Sequence, residues 1–246
     1  MELLKTASSA SPHPRRDAAG GETSASATAP LELTVTTTSS IASVSAEEWD
    51  ACATGGGENP RRLRERRSDA SNYGYVHYSP HLSGSLPFPA EEVNPFLLHS
   101  FLLALEESRS ASRETGWLPQ HLLARDGGGK LVGCCPAYLK GHSYGEYVFD
   151  QSWAQFARQL GFSYYPKLQA CVPFTPVTGP RLLVRKGLDG PTVRGALARA
   201  LRMVAEEYDV SSAHVTFNTK GEWEEMEGEG FARRAGMQVR VGDRRW

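Results

Sequence analysis

The chain has 246 residues, with 27 Lys and Arg against 28 Asp and Glu, for a formal net charge of −1. A balance this near zero gives no overall pull toward nucleic acid or an anionic membrane. The longest apolar runs, such as Phe101–Leu105, fall well short of the ~20 residues a membrane span requires.

Residues 1–30 are rich in Ser, Ala, Thr and Pro and show no periodicity. Such a segment buries too little apolar surface to offset the entropy of ordering, so it is expected to be disordered. Its bias, with Lys5, Arg15 and Arg16, suits a transit peptide for a plastid or other organelle; Glu2, Asp17 and Glu22 suit a plain tail on a cytoplasmic protein. From Leu31 the pattern changes, and residues 31–54 are expected to open the folded domain. Leu31, Leu33 and Val35 alternate as in a half-buried strand, and Ser45-Ala46-Glu47-Glu48 has the form of a capping box ahead of a helix carrying Trp49. Residues 55–90, with three glycines and the run Arg61-Arg62-Leu63-Arg64-Glu65-Arg66-Arg67, have no usable period and read as an irregular insert.

Residues 91–241 carry the main domain. Asn94-Pro95 marks a helix start by an N-cap side chain and a proline at the first helical position, and the apolar residues that follow predict a buried helix to about Ser108. His121–Arg125 and Lys130–Leu139 read as strands of a hairpin turning at Asp126-Gly127-Gly128-Gly129. Adjacent Cys134 and Cys135 should then point to opposite faces. With Cys52 and Cys171 they form no CxxC pair, so the spacing supports no metal site and they read as core residues. A helix is predicted over Phe149–Leu160, closed by Gly161, and strands over Lys167–Pro173 and Arg181–Val184. Pro191–Tyr208 is a helix with Val193, Leu197, Leu201 and Val204 on one stripe. Ala213–Phe217 reads as a strand, Thr219-Lys220-Gly221-Glu222 as a capping box, Gly230 as that helix's stop, and Met237–Val241 as a last strand before the tail 242–246. This order predicts an α/β fold with a mixed sheet flanked by helices.

Two blocks concentrate polar and aromatic residues at strand ends, where scaffolds present functional groups: Lys140–Asp150 and Ser163–Gln169, the second leading into Val172–Arg181. Their candidate substrate contacts are Lys140, His142, Tyr144, Tyr165, Lys167, Thr175 and Arg181. Glu146 is the candidate catalytic base, because a partly buried carboxylate is raised toward the range that accepts a proton from an amine. Lys140 and Glu146 could also pair with each other.

These strings resemble a known family. Asn94-Pro95-Phe96, Thr115-Gly116-Trp117, Pro136–Lys140, His142–Asp150, Tyr164–Gln169, Val172–Arg181, His214–Phe217 and Trp223 are similar to the FemAB-like proteins of peptidoglycan biosynthesis/recognition. The resemblance implies a GNAT-like fold in the acyl-CoA N-acyltransferase superfamily and transfer of an acyl or aminoacyl group to a small-molecule or peptide amine. Acyl-CoA would then be a co-substrate rather than a resident cofactor. Family members are expected to pass quickly from the Glu47–Asp50 helix to Asn94 and to continue after Gln238 into a second GNAT-like half. Here Val239–Trp246 ends the chain. A lone half is expected to leave an apolar face uncovered and to self-associate, or to act as a non-catalytic binding module or truncated pseudoenzyme. For a CoA pyrophosphate, the nearest glycine turn ahead of a helix is Arg185–Gly190, where Asp189 and the missing Pro191 N–H both work against phosphate.

A hydrolase reading competes. Gly141-His142-Ser143-Tyr144-Gly145 matches a nucleophile elbow, with His214 as later base and Asp209 or Asp189 to orient it. The helix that should follow the elbow is delayed, and His214 falls in a strand.

Overall fold

Alternation of Leu33 and Val35 with polar neighbours places one face of β2 (Glu32–Thr38) in the core, and both residues are fully buried. A computed structural model describes residues 2–7 (backbone only), 32–55, 93–144, 146–147 and 150–234. The insert after Gly55, the strand expected at Met237–Val241, and the tail lie outside the described residues. So does most of the 1–30 leader, but Glu2–Ala7 within it is a strand, β1, pairing antiparallel with β2. An extended segment laid there satisfies the backbone groups that an open edge would leave unpaired.

The other side of β2 pairs antiparallel with β4 (His121–Asp126), in register from Leu33↔Asp126 to Thr38↔His121. The turn after β4 is held by Asp126 Oδ1, which accepts from the Gly128 and Lys130 N–H groups at 3.0 Å. It returns as β5 (Leu131–Cys135), with Val132 as the extra residue of a bulge. The strand expected over Lys130–Leu139 divides at Pro136, which has no N–H to continue the ladder. β5 stays in the first sheet, while β6 (Ala137–Lys140) joins a second with β3 (Trp117–Pro119). Where the hairpin opens, the His121 ring stands in for a backbone acceptor: its Nδ1 takes the Ala137 N–H at 3.2 Å, and its Nε2 donates to Glu106 at 2.9 Å.

The first sheet runs β1-β2-β4-β5-β8, with β8 (Leu183–Val184) antiparallel to β5. The second runs β3-β6-β7-β9, with β7 (Lys167–Ala170) antiparallel to β6 and β9 (Ala213–Val215) parallel to β7. The mixed sheet is therefore the second.

Five helices pack around the sheets among the described residues. α1 (Ala46–Ala53) is capped by Ser45, whose hydroxyl accepts from Glu48 N–H. The Glu48 carboxylate turns instead to the Leu131 N–H and Arg125. At Asn94-Pro95 the cap forms, but the first turn is a 3-10 turn, Pro95–Leu97, and α2 (His99–Glu107) follows after a break at Leu98. α3 (Gln151–Gln159) precedes Gly161, whose φ of +80° ends it; Phe149 lies outside the described residues. α4 (Gly190–Glu207) and α5 (Lys220–Gly228) come last, and α5 has a full capping box between Thr219 and Glu222.

The main core lies against α4. Val193, Leu197, Leu201 and Val204 meet Leu33, Val35, Leu122, Leu168 and Ala170. At ~1.5–3 kcal/mol each, burying those four α4 side chains favours the fold by roughly 6–12 kcal/mol as an upper figure. Gly133 makes the contact close: a Cβ there would meet Val193 Cγ1 at 2.5 Å. A second core, with Trp49, Leu97, Leu102, Leu123 and Leu131, fills the opposite side under α1 and α2. Cys134 belongs to this core and Cys135 to the first, as their adjacency in a strand requires.

Candidate functional site

In the second sheet, Leu139 and Leu168 turn toward the α4 core, so the residues between them turn away. Registers Trp117↔Lys140↔Lys167 and Pro119↔Tyr138↔Gln169↔His214 then line up on the other face. That face is polar yet covered. Tyr138 and Lys140 are fully buried, and Lys167 and Gln169 are nearly so.

Two lysines directly opposite on neighbouring strands would repel. The segment 141–150 supplies the compensation. Glu146 pairs with Lys140, and Asp150 pairs with Lys167 at 2.5 Å. The Lys140 ammonium also rests 3.0 Å from the centroid of the Trp117 ring, a cation–π contact in a dry setting. Asp150 further accepts the hydroxyls of Tyr165 at 2.9 Å and Tyr164 at 3.1 Å, and Tyr165 reaches Ser143 Oγ at 2.8 Å. Gln169 Nε2 donates to Glu146 Oε1 at 3.1 Å, the oxygen that also faces Lys140. Two buried polar atoms on this face have no hydrogen-bond partner, Gln169 Oε1 and Tyr138 Oη.

The electrostatics follow from burial and pairing. Burial pulls the Lys140 amine below its ordinary value, against the opposing charge of Glu146. Burial by itself would raise Asp150, but the bond and charge of Lys167, helped by Tyr165 and Ser143, hold it below the usual carboxylate value. The Tyr165 phenol is pushed up to about 12 by burial, with Asp150 adding to the rise. His214 is pushed down to about 4 by burial and by Lys167, so it is neutral at physiological pH. The Cys171 thiol is raised to about 12 by burial beside Glu146, and an un-ionised thiol is a poor nucleophile.

Of the candidates from the sequence, Lys140, Glu146, Tyr165 and Lys167 meet in this network. His142 sits at its rim, its ring centroid 4.9 Å from that of Tyr144 and tilted 47° to it, in the space left by Gly116. Tyr144 itself is 75% exposed. Thr175 and Arg181 have other tasks. Thr175 Oγ1 accepts the Val177 N–H, and the buried Arg181 guanidinium donates to the carbonyls of Thr216, Gly179, Pro180 and Val177. Arg181 thus ties the loop before β8 together, and Glu222 accepts its backbone N–H.

Trp117, Tyr138, Asp150 and Gln169 complete the network and were not among the candidates, and Ser143 and His214 join it although the sequence offered them only for the hydrolase reading. A signal for some of them was present: Tyr138-Leu139-Lys140 and Lys167-Leu168-Gln169 alternate polar with apolar, which marks a polar sheet face. The hydrolase arrangement is not formed. Ser143 Oγ is hydrogen-bonded to Tyr165 Oη, His214 Nε2 is bonded to Ser212 Oγ at 2.8 Å, and α3 begins only at Gln151. The Asp189 carboxylate accepts from Thr192 Oγ1 at the start of α4. Clefts of about 350 Å³ by Leu182–Val184 and Arg194, and of about 370 Å³ by Ser40 and Glu106, lie away from the network. Among the described residues no group of three His, Cys, Asp or Glu side chains could hold a metal ion. Nor is any helix among them long and apolar enough to cross a membrane.

In comparison with known proteins, the family described as peptidoglycan biosynthesis/recognition, FemAB-like, matches residues 40–245. No curated protein and no solved structure matches the chain.

Proposed function

The chain belongs to the FemAB-like family, and from that premise we propose that it is a transferase moving an acyl or aminoacyl group onto an amine at the network under the 141–150 segment. The observation that carries the reading is a carboxylate, Glu146, 7% exposed and beside the unpartnered acceptor Gln169 Oε1. An incoming ammonium satisfies both: it donates to Gln169 Oε1 and passes a proton to Glu146. The freed nitrogen then attacks the acyl carbon and gives up a second proton, the bond to the donor breaks, and the leaving thiol or hydroxyl takes up one of the two protons while the other passes to solvent. Lys140, held by the Trp117 ring, steadies the carboxylate and the negative charge that develops on the acyl oxygen. Acyl-CoA is one donor class and aminoacyl esters are the other.

Glu146→Gln tests this with a panel of amines and both donor classes. The expected result is a 10²–10⁴-fold lower kcat, the range for loss of a positioned base, in a variant that circular dichroism shows folded but that melts lower, because Lys140 is left buried without its carboxylate. Undiminished turnover in the variant, or no heat on titrating millimolar acetyl-CoA and no turnover with aminoacyl esters, sinks the enzyme reading.

One observation favours recognition without catalysis. Lys140, Glu146, Lys167 and Asp150 neutralise one another, and both clefts lie elsewhere. In that reading, amine binding survives Glu146→Gln and no donor is consumed. For location we propose import into a plastid or other organelle from the Ser/Ala/Thr bias of the leader. A reporter fused to residues 1–50 that stays diffuse in the cytosol rejects it.

A further inference from the structure

Nine large apolar side chains stand exposed among the described residues, and six of them fall within one stretch of chain: Tyr144, Tyr147, Trp153, Phe156, Leu160 and Phe162. Each is half exposed or more. Trp153, Phe156 and Leu160 are spaced i, i+3 and i+7, so they share one face of α3. That helix has no buried residue at all. Single exposed apolar residues are ordinary, but a run of aromatic ones on one amphipathic helix and its flanking loops marks an interaction surface.

The charge around the patch identifies its partner. Three charged residues occur between Tyr144 and Phe162: Glu146, Asp150 and Arg158. The two carboxylates are turned inward and neutralised by Lys140 and Lys167. The Arg234 guanidinium lies over the Trp153 ring at 4.7 Å, within the patch, while Arg158, five residues after Trp153, is exposed on the opposite side of α3. The patch is therefore aromatic and cationic although the whole chain is nearly neutral. Trp and Tyr rings favour the headgroup layer of a bilayer, and Arg beside them favours anionic lipid. A second copy of the chain suits the patch less well. A two-fold contact would bring Arg234, which lies on Trp153, toward its own copy, and the 144–162 stretch exposes no carboxylate to pair with it.

We propose that α3 and its flanking loops form a docking surface for an anionic lipid–water interface, with the helix lying flat and Trp153, Phe156, Leu160 and Phe162 inserted among the headgroups. The surface adjoins the network, because Asp150 immediately precedes α3 and at the same time holds Lys167. The proposal is independent of the transferase reading.

The test is co-sedimentation of the full chain with vesicles of phosphatidylcholine alone or with added phosphatidylserine. Binding is expected to be stronger with phosphatidylserine. Trp153→Ser with Phe156→Ser is expected to lower the partition by ~10-fold or more, from two half-exposed aromatic rings withdrawn from lipid. Arg234→Glu is expected to cost about fivefold on the anionic vesicles and little on neutral ones. Both changes are at exposed positions, and circular dichroism checks the fold. If the double variant fails to fold, quenching of the unaltered chain's tryptophan fluorescence by nitroxide-labelled lipid still decides. The proposal is overturned by absence of sedimentation with either vesicle, or by binding that these substitutions leave unchanged. A dimer abolished by the double variant, with no vesicle binding, assigns the patch to a second copy instead.

Discussion

Asp150→Asn removes one charge from the network and keeps its shape. The carboxylate is 1% exposed and holds Lys167, itself 2% exposed, together with two tyrosine hydroxyls. Asn retains an acceptor for a tyrosine, but Lys167 is left as a buried cation opposite Lys140. Breaking a buried pair by removing one partner destabilises by ~3–5 kcal/mol, mostly the penalty on the charge left behind. At ~2–4 °C per kcal/mol for a domain of this size, the melt should fall by roughly 6–20 °C. Lys167→Met should also destabilise, since it strands Asp150. The double substitution should recover much of the loss, because both desolvated charges are then gone. Thermal and urea unfolding of the four proteins in the cycle measure this directly, and coupling of at least ~1.5 kcal/mol is expected. Additive single effects, or an Asp150→Asn melt within ~2 °C of the parent, would show that the pair is not the element holding segment 141–150 down.

Two further outcomes are expected. His214 has its folded-state value pushed down to about 4 by burial, so the unfolded chain binds the extra proton between that value and its ordinary ~6.5. Its stabilising effect is complete above ~6.5 and is lost as pH falls toward 4. The parent should lose about 2 kcal/mol more than His214→Phe between pH 7 and pH 5 in urea unfolding, and equal losses refute the assignment. Gly116 has φ +73° and an added Cβ would meet His142 Nε2 at 2.5 Å, so Gly116→Ala should destabilise by ~1–3 kcal/mol. Gly141→Ala, with nothing within 4 Å of its added Cβ, should melt like the parent. Equal melts for the two variants would contradict the close packing of His142.

Much of the element order was legible because its causes are local. Ser45, Asn94 and Thr219 cap their helices with side chains acting two or three residues ahead. The α4 stripe follows from 3.6 residues per turn, and the turn at Asp126 from one carboxylate reaching two nearby N–H groups. The site was only half legible. Lys140, Glu146, Tyr165 and Lys167 stood out as polar groups at strand ends. Arg181 looked the same in sequence, yet it is tied to the carbonyls of its own loop and of Thr216.

What residues dictate over a few positions, the sequence determined alone: caps, helix stripes, strand alternation, and the family strings from Asn94 to Trp223. Tertiary structure decided whatever depends on partners far along the chain. It split the 130–139 strand at Pro136 between two sheets, because β5 finds β8 while β6 finds β7. It set Lys140 opposite Lys167, turning two surface-like lysines into a buried pair that requires Glu146 and Asp150. It also turned the apolar stripe of α3 outward, a choice no periodicity makes, since amphipathicity says which residues share a face and only packing says which way that face points.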